Sequence, residues 1–334
     1  MVTTLEAART VLTAPEDFVL PYDVSRQPVR RHGREAKDTP PLAPEAVAVG
    51  AAVFAEELAR TAVPVESTEV DTLVLLRDPV ARSTTAAMLP ALDIADRDRV
   101  AGLVLAWVDS LGPVISAARP PRRWSAHRRA EHSARRRLVG ALQELGSAEA
   151  PALATALAAG VQVPIASGAW CLTQLAARPD LHRLIREEPE LAVPFVWEVL
   201  RLFPPTWVLP RIAVADSILQ GTEVPAYTPV LVSPLALGLL PRLVPGPDAG
   251  SSPLGELDPL RWIGTDRRPG AWLPFGAGPH ACPGRNLGLA QLARLVEWTA
   301  DVALHVDHPP TVNADRGLSP HPSLVHAHRR RDAG

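Results

Sequence analysis

The stretch Phe275-Gly276-Ala277-Gly278-Pro279-His280-Ala281-Cys282-Pro283-Gly284 places a lone cysteine in a loop rich in glycine and proline. An apolar run with helical character, Asn286 to Trp298, follows directly. A cysteine binds a metal as its thiolate, and backbone N–H groups and a helix N-terminus stabilise that anion. Glycines allow the backbone to approach the sulfur closely. The loop therefore indicates a thiolate ligand at Cys282, although free cysteines are also commonly buried without a function.

The spacing of this loop resembles the heme-binding loop of the cytochrome P450 family: Phe, two residues, Gly, three residues, Cys, one residue, Gly. A match at several fixed positions is far more specific than a single short motif. The resemblance implies heme b as the cofactor, with Cys282 as the axial ligand of its iron. It also implies that Phe275, Gly276, Gly278 and Gly284 shape the heme loop, and that His280 donates to a heme propionate.

A second motif lies upstream, where Glu198-Val199-Leu200-Arg201 resembles the Glu-x-x-Arg pair of the family's K helix. Spacing of three places both side chains on one helical face. Such a pair is usually a solvated ion pair, but this one lies in an apolar segment that ends at Pro204, and buried charges need partners. The resemblance implies that Arg261, in Asp258-Pro259-Leu260-Arg261-Trp262, is the partner of Glu198.

Between these motifs, two segments resemble the short strands that follow the K helix: Leu209 to Ala213 and Gly221 to Val230. In the family an arginine at the position of Arg211 reaches a heme propionate, whereas the alternative is a surface arginine. The resemblance covers about Leu42 to Arg331, and its motifs occur in the family's order.

The chain departs from the family in its I helix, which carries Ala-Gly-x-(Asp/Glu)-Thr in members that activate oxygen. The matching residues here are Ala159-Gly160-Val161-Gln162-Val163, followed by Pro164. Gly160 would leave room beside the iron, and Ala159 would line the cofactor. Gln162 and Val163 replace the acid and the alcohol, and neither can transfer a proton as those groups do. Pro164 predicts a kink.

The second departure is at the N-terminus, where about forty residues stand in place of the family's β-rich region, B helix and covering loop. The segment Val29 to Arg34 is a candidate remnant of a basic C helix. The predicted fold is therefore mainly α with small β-sheets, a cytochrome P450 fold truncated in the N-terminal β/B-helix region. We expect one heme-thiolate domain over residues 1–334, with residues 1–41 as an atypical segment and residues 42–334 as the helical core. Apolar spacing predicts helices over Val47–Arg60, Arg97–Leu111 and Trp124–Leu145.

Composition fits a soluble protein with a large core, since 47% of the residues are apolar and the net charge is −2. The sequence has no unbroken run of eighteen apolar residues, which disfavours a membrane role. Two cysteines, Cys171 and Cys282, offer no disulfide framework, so we expect a cytoplasmic location. Cys171 is interpreted as a core residue, and the basic end, Val325 to Arg331, as solvated.

Eight arginines occur between Arg119 and Arg137. Nucleic-acid binding is disfavoured because Trp124 is the single aromatic residue among them and the whole chain is not basic. A solvated helix face is the first interpretation, and docking of an anionic substrate or carrier protein is the second.

Three functions follow from the resemblance. The first is a monooxygenase acting on a small-molecule or carrier-bound natural product, with electrons from a separate ferredoxin and ferredoxin reductase. The second is a peroxide-dependent or non-oxygenating heme-thiolate enzyme, for which the altered I helix is no handicap. The third is an auxiliary protein that activates a biosynthetic partner. The complete cysteine loop argues against the third, whereas the short N-terminus and altered I helix argue for it.

Overall fold

The structure is a computed structural model of the chain. It describes residues 1–21, 40–117, 119–240, 252–264, 272–313 and 319–330. The proposed C-helix remnant, Val29 to Arg34, and the last residue of the basic end, Arg331, lie outside the described residues. The described chain is mainly helical with small antiparallel sheets, as predicted. It forms two compact units, the first from residues 1–41 and 193–285, and the second from residues 42–192 and 286–334.

Among its described residues the first unit has three α-helices: α1 (Leu5–Thr13), α9 (Ala192–Leu202, whose first residue belongs to the second unit) and α10 (Pro234–Gly238). Its strands are β1 (Phe18–Val19), β3 (Leu209–Ala213), β4 (Ser217–Leu219), β5 (Thr222–Val224) and β6 (Pro229–Val232). Strand β3 pairs antiparallel with both β1 and β6, and β4 pairs with β5. Two short 3₁₀ turns, Pro259–Trp262 and Gly278–His280, complete the unit.

The second unit contains most of the helices: α2 (Pro44–Arg60), α3 (Thr72–Leu75), α4 (Arg77–Met88), α5 (Ile94–Ile115), α6 (Ala126–Glu144), α7 (Ala150–Ala176), α8 (Pro179–Glu187) and α11 (Arg285–Trp298, whose first residue belongs to the first unit). Its strands are β2 (Thr68–Asp71), β7 (Val302–His305), β8 (Thr311–Asn313), β9 (Ser319–His321) and β10 (Leu324–Arg329). Strand β10 lies between β2 and β7, and β8 pairs with β9.

The N-terminal residues form part of the core of the first unit. Thr4 caps α1 by accepting a hydrogen bond from the N–H of Ala7, which satisfies a donor that the helix leaves unpaired. Helix α1 buries Val11 and Leu12 against the sheet, and β1 extends that sheet by pairing with β3. Neither α1 nor β1 was predicted from the sequence.

The core of the second unit is built on α7, whose last ten residues are all buried. A Cβ at Gly168 would lie 2.7 Å from a methyl of Leu76 and 3.0 Å from one of Leu295, so a glycine is needed at this contact. Helix α7 is also long and apolar enough to cross a membrane by length and composition, and half of its most apolar window is buried in the fold. That burial is what a core helix shows.

The helices predicted at Val47–Arg60, Arg97–Leu111 and Trp124–Leu145 are confirmed as α2, α5 and α6, with ends that differ by a few residues. The strands predicted after α9 are present as β3, β5 and β6. Pro164 lies inside α7 without ending it. A proline in a helix leaves the carbonyl four residues earlier without its usual donor, so Gly160 must find another partner.

Candidate functional site

The cysteine loop of the first unit is held by its own backbone. The N–H of Cys282 donates to the carbonyl of Phe275 at 2.9 Å, and the N–H of Ala281 donates to that of Gly278 at 2.9 Å. The N–H of Gly276 donates to the carbonyl of Leu273 at 3.0 Å. These bonds fold the loop into a turn that presents the cysteine just before α11 begins at Arg285.

The glycines of the loop have different roles. Gly276 and Gly278 adopt φ of 66° and 69°, a region that side chains disfavour. A Cβ at Gly278 would also lie 2.2 Å from the carbonyl oxygen of Leu12, so this glycine allows the loop to pack on α1. A Cβ at Gly284 would lie 4.0 Å from the sulfur of Cys282. Of the three glycines, Gly284 is therefore the one whose backbone approaches the sulfur.

The environment of Cys282 acts on its thiol in two directions. Burial raises the pKa of the Cys282 thiol, while the backbone N–H of Gly284 and the charge of Arg285 lower it. A thiol that binds a metal must lose its proton, and these two groups favour the anion. Cys171 differs, because it is completely buried in α7 and burial alone raises its pKa. Its surroundings are those of an inert core thiol.

Arg211 is a buried cation for which the described part of the first unit shows no carboxylate partner. Its side chain is 4% exposed, and its described hydrogen bond goes to the neighbouring Pro210 carbonyl at 2.9 Å. Its buried Nε atom has no hydrogen-bond partner among the described residues. Burial lowers the pKa of Arg211, and its charge in turn lowers the pKa of His280 after the larger effect of burial. A buried charge is costly unless an opposite charge pairs with it.

These residues fit the heme that the sequence implies. Heme b brings two propionate carboxylates, and a carboxylate would pair with the buried Arg211 guanidinium and accept from His280. Cys282 would be the thiolate donor to the iron, in a loop that contains Phe275 and the three glycines. These side chains and the loop belong to the same compact unit. The buried arginine is therefore consistent with a site completed by an anionic cofactor.

The same unit contains a buried cluster around Glu198 of α9. Arg201 donates to both carboxylate oxygens of Glu198 at 2.7 and 2.8 Å, and Arg261 donates to Oε1 at 2.8 Å. All three side chains are completely buried. Trp262 Nε1 and the N–H of Asp258 complete the set of donors at 2.9 and 3.1 Å. Five donors thus compensate one buried carboxylate, which fixes the turn Pro259–Trp262 against α9.

Sequence reasoning missed a group of aromatic rings that joins this cluster to the cysteine loop. The ring centroids of Trp197, Trp262 and Trp272 lie 5.7 to 6.4 Å apart, and Phe275 lies 5.8 Å from Trp272. The indole N–H of Trp272 donates to the carbonyl of Trp197 at 2.9 Å. Edge-on aromatic pairs of this kind stabilise a core beyond their buried area. Three of the eight tryptophans lie in α9, in the Pro259–Trp262 turn and just before the cysteine loop, and this concentration was the signal available in the sequence.

The I-helix positions lie on α7 of the second unit. Pro164 has no N–H to donate to the carbonyl of Gly160. That carbonyl instead accepts a hydrogen bond from the Thr84 hydroxyl of α4 at 3.2 Å. Gln291 donates to the hydroxyls of Ser83 and Thr84 at 2.9 and 3.3 Å. A Cβ at Gly160 would lie 2.9 Å from the Thr84 methyl, so its small size serves the contact between α7 and α4.

Ala159, Gln162 and Val163 share an exposed face of α7. Their spacing of three and four residues makes them neighbours on one side of the helix. The face carries an amide and two apolar side chains, and no carboxyl or hydroxyl group at these positions. It provides no group of its own that would deliver a proton at these three positions.

The side chains of the arginine-rich segment are not all exposed, as they would be on a solvated helix face. Arg128 is buried and lies 3.8 Å from the buried Glu131, which also accepts from Trp107 at 3.1 Å. Arg135 stacks over the Trp107 ring at 5.5 Å. Part of the cluster therefore holds α6 to α5, while Trp124 is 75% exposed with Arg123 over its ring.

A family model and solved structures both indicate similarity to cytochrome P450 proteins. The family model for cytochrome P450 matches residues 150–299, which include the Glu198 cluster and the cysteine loop. A six-coordinated cytochrome P450 from Thermus thermophilus matches with a TM-score of 0.72, at 19% identity over 98% of this chain and 91% of its own. The open form of cytochrome P450 Eryk from S. erythraea matches with a TM-score of 0.73, at 19% identity over 100% and 91%. Residues 150–299 are thus similar to the cytochrome P450 family, and the fold of the chain is the cytochrome P450 fold.

Among curated proteins, the chain is similar to cyclooctat-9-en-7-ol 5-monooxygenase from Streptomyces melanosporofaciens, with 33% identity over 166 residues. That match covers 44% of this chain and 35% of the relative. The chain thus spans about a third of the length of that curated relative.

Proposed function

We propose that the chain is a heme-thiolate oxidoreductase, and specifically a monooxygenase that modifies a small-molecule or carrier-bound natural product. The observation that carries the proposal is the buried Arg211, which has no carboxylate partner among the described residues and belongs to the same unit as the Cys282 loop. The family and the name of the Streptomyces monooxygenase support the reaction type.

In this proposal each residue of the first unit has a defined task. Cys282 would bind the heme iron through its thiolate, which the Gly284 N–H and Arg285 would stabilise. Arg211 and His280 would hold the heme propionates, and Phe275 and the loop glycines would shape the loop around the ligand. Heme b would supply the redox-active iron, on which a thiolate ligand favours cleavage of the O–O bond. Glu198, Arg201 and Arg261 are structural.

The oxygen side of the proposal rests on α7. The family carries an acid and an alcohol where this chain has Gln162 and Val163. Because neither side chain transfers protons, ordered water or a substrate hydroxyl would supply them. Electrons would come from a separate ferredoxin and ferredoxin reductase, and we place the protein in the cytoplasm, with no membrane or nucleic-acid partner.

The deciding experiment is the carbon monoxide difference spectrum of the reduced protein, purified with heme supplied. A strongly red-shifted Soret band in the wild type and in Cys171→Ser, lost in Cys282→Ser, would establish thiolate ligation at the proposed residue. The two variants remove one sulfur each from buried and half-buried positions, so Cys171→Ser controls for a general effect on folding. A wild-type chain that folds but takes up no heme would overturn the proposal and favour the auxiliary role.

The altered α7 face favours a second candidate, a peroxide-dependent heme-thiolate enzyme. Peroxide brings its own protons, so the missing acid and alcohol would not limit it. The double variant Gln162→Glu with Val163→Thr separates the two candidates. Under the monooxygenase proposal it increases the fraction of reductant recovered as product with dioxygen. Under the peroxide candidate, wild type turns over with peroxide alone and the variant gains nothing with dioxygen.

A further inference from the structure

The second unit contains a basic groove that the proposed function does not use. Its volume is about 980 Å³. The end of α8 contributes Arg186, the end of α11 contributes Trp298, and β7 and β10 contribute Val302, His328 and Arg329, with Arg330 just beyond β10. Small-molecule sites have volumes of this order and combine an apolar wall with a few converging polar groups.

The charges in the groove are unbalanced. Four basic residues line it, Arg186, His328, Arg329 and Arg330, against one acid, the exposed Asp301. Arg186 and Arg330 are half-buried, and the described residues include no carboxylate in an ion pair with either. The Arg330 Nε donates to the Val302 carbonyl at 3.2 Å, which fixes the base of its guanidinium. Arg183, one turn before Arg186 on α8, instead pairs with Asp180 at 2.8 Å.

Burial and the excess of positive charge lower the pKa values of basic groups in and near the groove. Burial and the charge of Arg186 lower the pKa of Arg330, and no opposing effect from a carboxylate accompanies them. Behind the groove, the buried His182 donates from Nε2 to the Thr299 carbonyl at 3.1 Å. Burial, together with Arg330 and Arg186, lowers its pKa to about 4. The pKa of Arg82, by contrast, is raised, chiefly by its hydrogen bond to the Glu57 carboxylate.

We propose that this groove binds a phosphate-bearing small molecule, with the guanidinium groups of Arg186 and Arg330 on its phosphate and the half-buried Trp298 against its remaining part. Two arginines match a dianion in charge, and the planar guanidinium donates in pairs to phosphate oxygens. A bound dianion would remove the mutual repulsion of the two cations. This groove would bind phosphate whether or not the first unit binds heme.

Titration calorimetry with pyrophosphate at fixed ionic strength tests this site on the full chain. We expect saturable binding to the wild type. Arg186→Gln and Arg330→Gln should each weaken it by about tenfold or more, which is the effect of losing one charged hydrogen-bonding partner. Arg183→Gln is the matched control on the same helix, and it should change affinity less than about twofold because its guanidinium is already paired and exposed.

His182 gives an independent readout. Pyrophosphate should raise the pKa of His182, followed by NMR of its ring protons, in the wild type and in Arg183→Gln. Should Arg330→Gln fail to fold because its bond to Val302 is lost, Arg186→Gln still tests the site. Each of three results would overturn the proposal. They are no saturable binding of pyrophosphate up to about 10 mM, an equal loss of affinity in Arg183→Gln, and an unchanged His182 pKa when the protein is saturated with pyrophosphate.

Discussion

The Nε atom of Arg261 lies 2.8 Å from Oε1 of Glu198, although the two residues are 63 positions apart in the chain. Arg201 donates to the same carboxylate from within α9, so one acid compensates two fully buried guanidinium groups. The arrangement ties the Pro259–Trp262 turn to α9 and is the polar centre of the first unit.

Glu198→Ala should therefore be strongly destabilising. It leaves two buried cations and the indole N–H of Trp262 without their acceptor, and breaking a buried ion pair costs about 3–5 kcal/mol. The free energy of unfolding from denaturant titration measures this. The matched control is Glu297→Ala, which removes an exposed partner of Arg294 and should cost less than about 1 kcal/mol. Similar losses in the two variants would show that the cluster contributes no more than a surface pair.

Gly278→Ala should destabilise the first unit through α1. The new methyl meets the Leu12 carbonyl oxygen at 2.2 Å, and φ of 69° disfavours a side chain. Strain and overpacking together should cost about 2–4 kcal/mol, measured by thermal and chemical unfolding. Gly255→Ala is the control, because a Cβ there meets nothing within 4 Å. A Gly278→Ala protein as stable as the control would mean that α1 can move away freely.

Arg211→Met should have opposite effects on stability and on cofactor binding. Without heme, the substitution removes a buried charge that lacks a carboxylate among the described residues, so stability should stay equal or rise by about 1–2 kcal/mol. With heme, the propionate partner is lost, so heme dissociation to an apo-protein acceptor should become about tenfold faster. Unfolding of heme-free protein and the rate of heme loss measure the two effects. Large destabilisation of the heme-free variant would contradict a site built for an external anion.

Thr84→Val should destabilise the second unit, although the valine and threonine side chains have nearly the same shape. It leaves the Gly160 carbonyl, already without a helical donor because of Pro164, with no partner from α4. An unsatisfied buried group costs about 1–3 kcal/mol. Thr155→Val in α7 is the control, since its hydroxyl donates to an exposed carbonyl in the first turns of that helix. If both variants unfold alike, water has replaced the Thr84 hydroxyl.

The buried His182 should make stability depend on pH. Its pKa is about 4 in the folded chain and 6.5 in its unperturbed state, so between these values the unfolded chain binds more protons. Stability should therefore fall as the pH drops from about 7 to 4, by about 3 kcal/mol from this residue, and level off below. Comparing unfolding free energies of wild type and His182→Gln over this range isolates the contribution. Equal slopes for the two proteins would contradict it.

The fold and the cysteine loop were largely predictable because both depend on local pattern. Apolar periodicity predicted α2, α5 and α6, and fixed spacing singled out Glu198 and Cys282. The sequence could not show that Thr84 serves the carbonyl freed by Pro164, since the two positions are eighty residues apart and meet through packing. Nor could it show that Gly278 faces Leu12. The N-terminal strand β1 has two residues and carries too little pattern to be predicted.

The contact between Gly278 and Leu12 also bears on how the protein is made. Helix α1 is synthesised before the loop that packs on it, because Gly278 follows Leu12 by about 266 residues in the chain. During that interval the apolar face of Val11 and Leu12 lacks part of its native cover. Domains generally fold as units during synthesis, and exposed apolar segments invite misassembly. The cysteine loop can therefore complete its contact with α1 only after residue 278 has been synthesised.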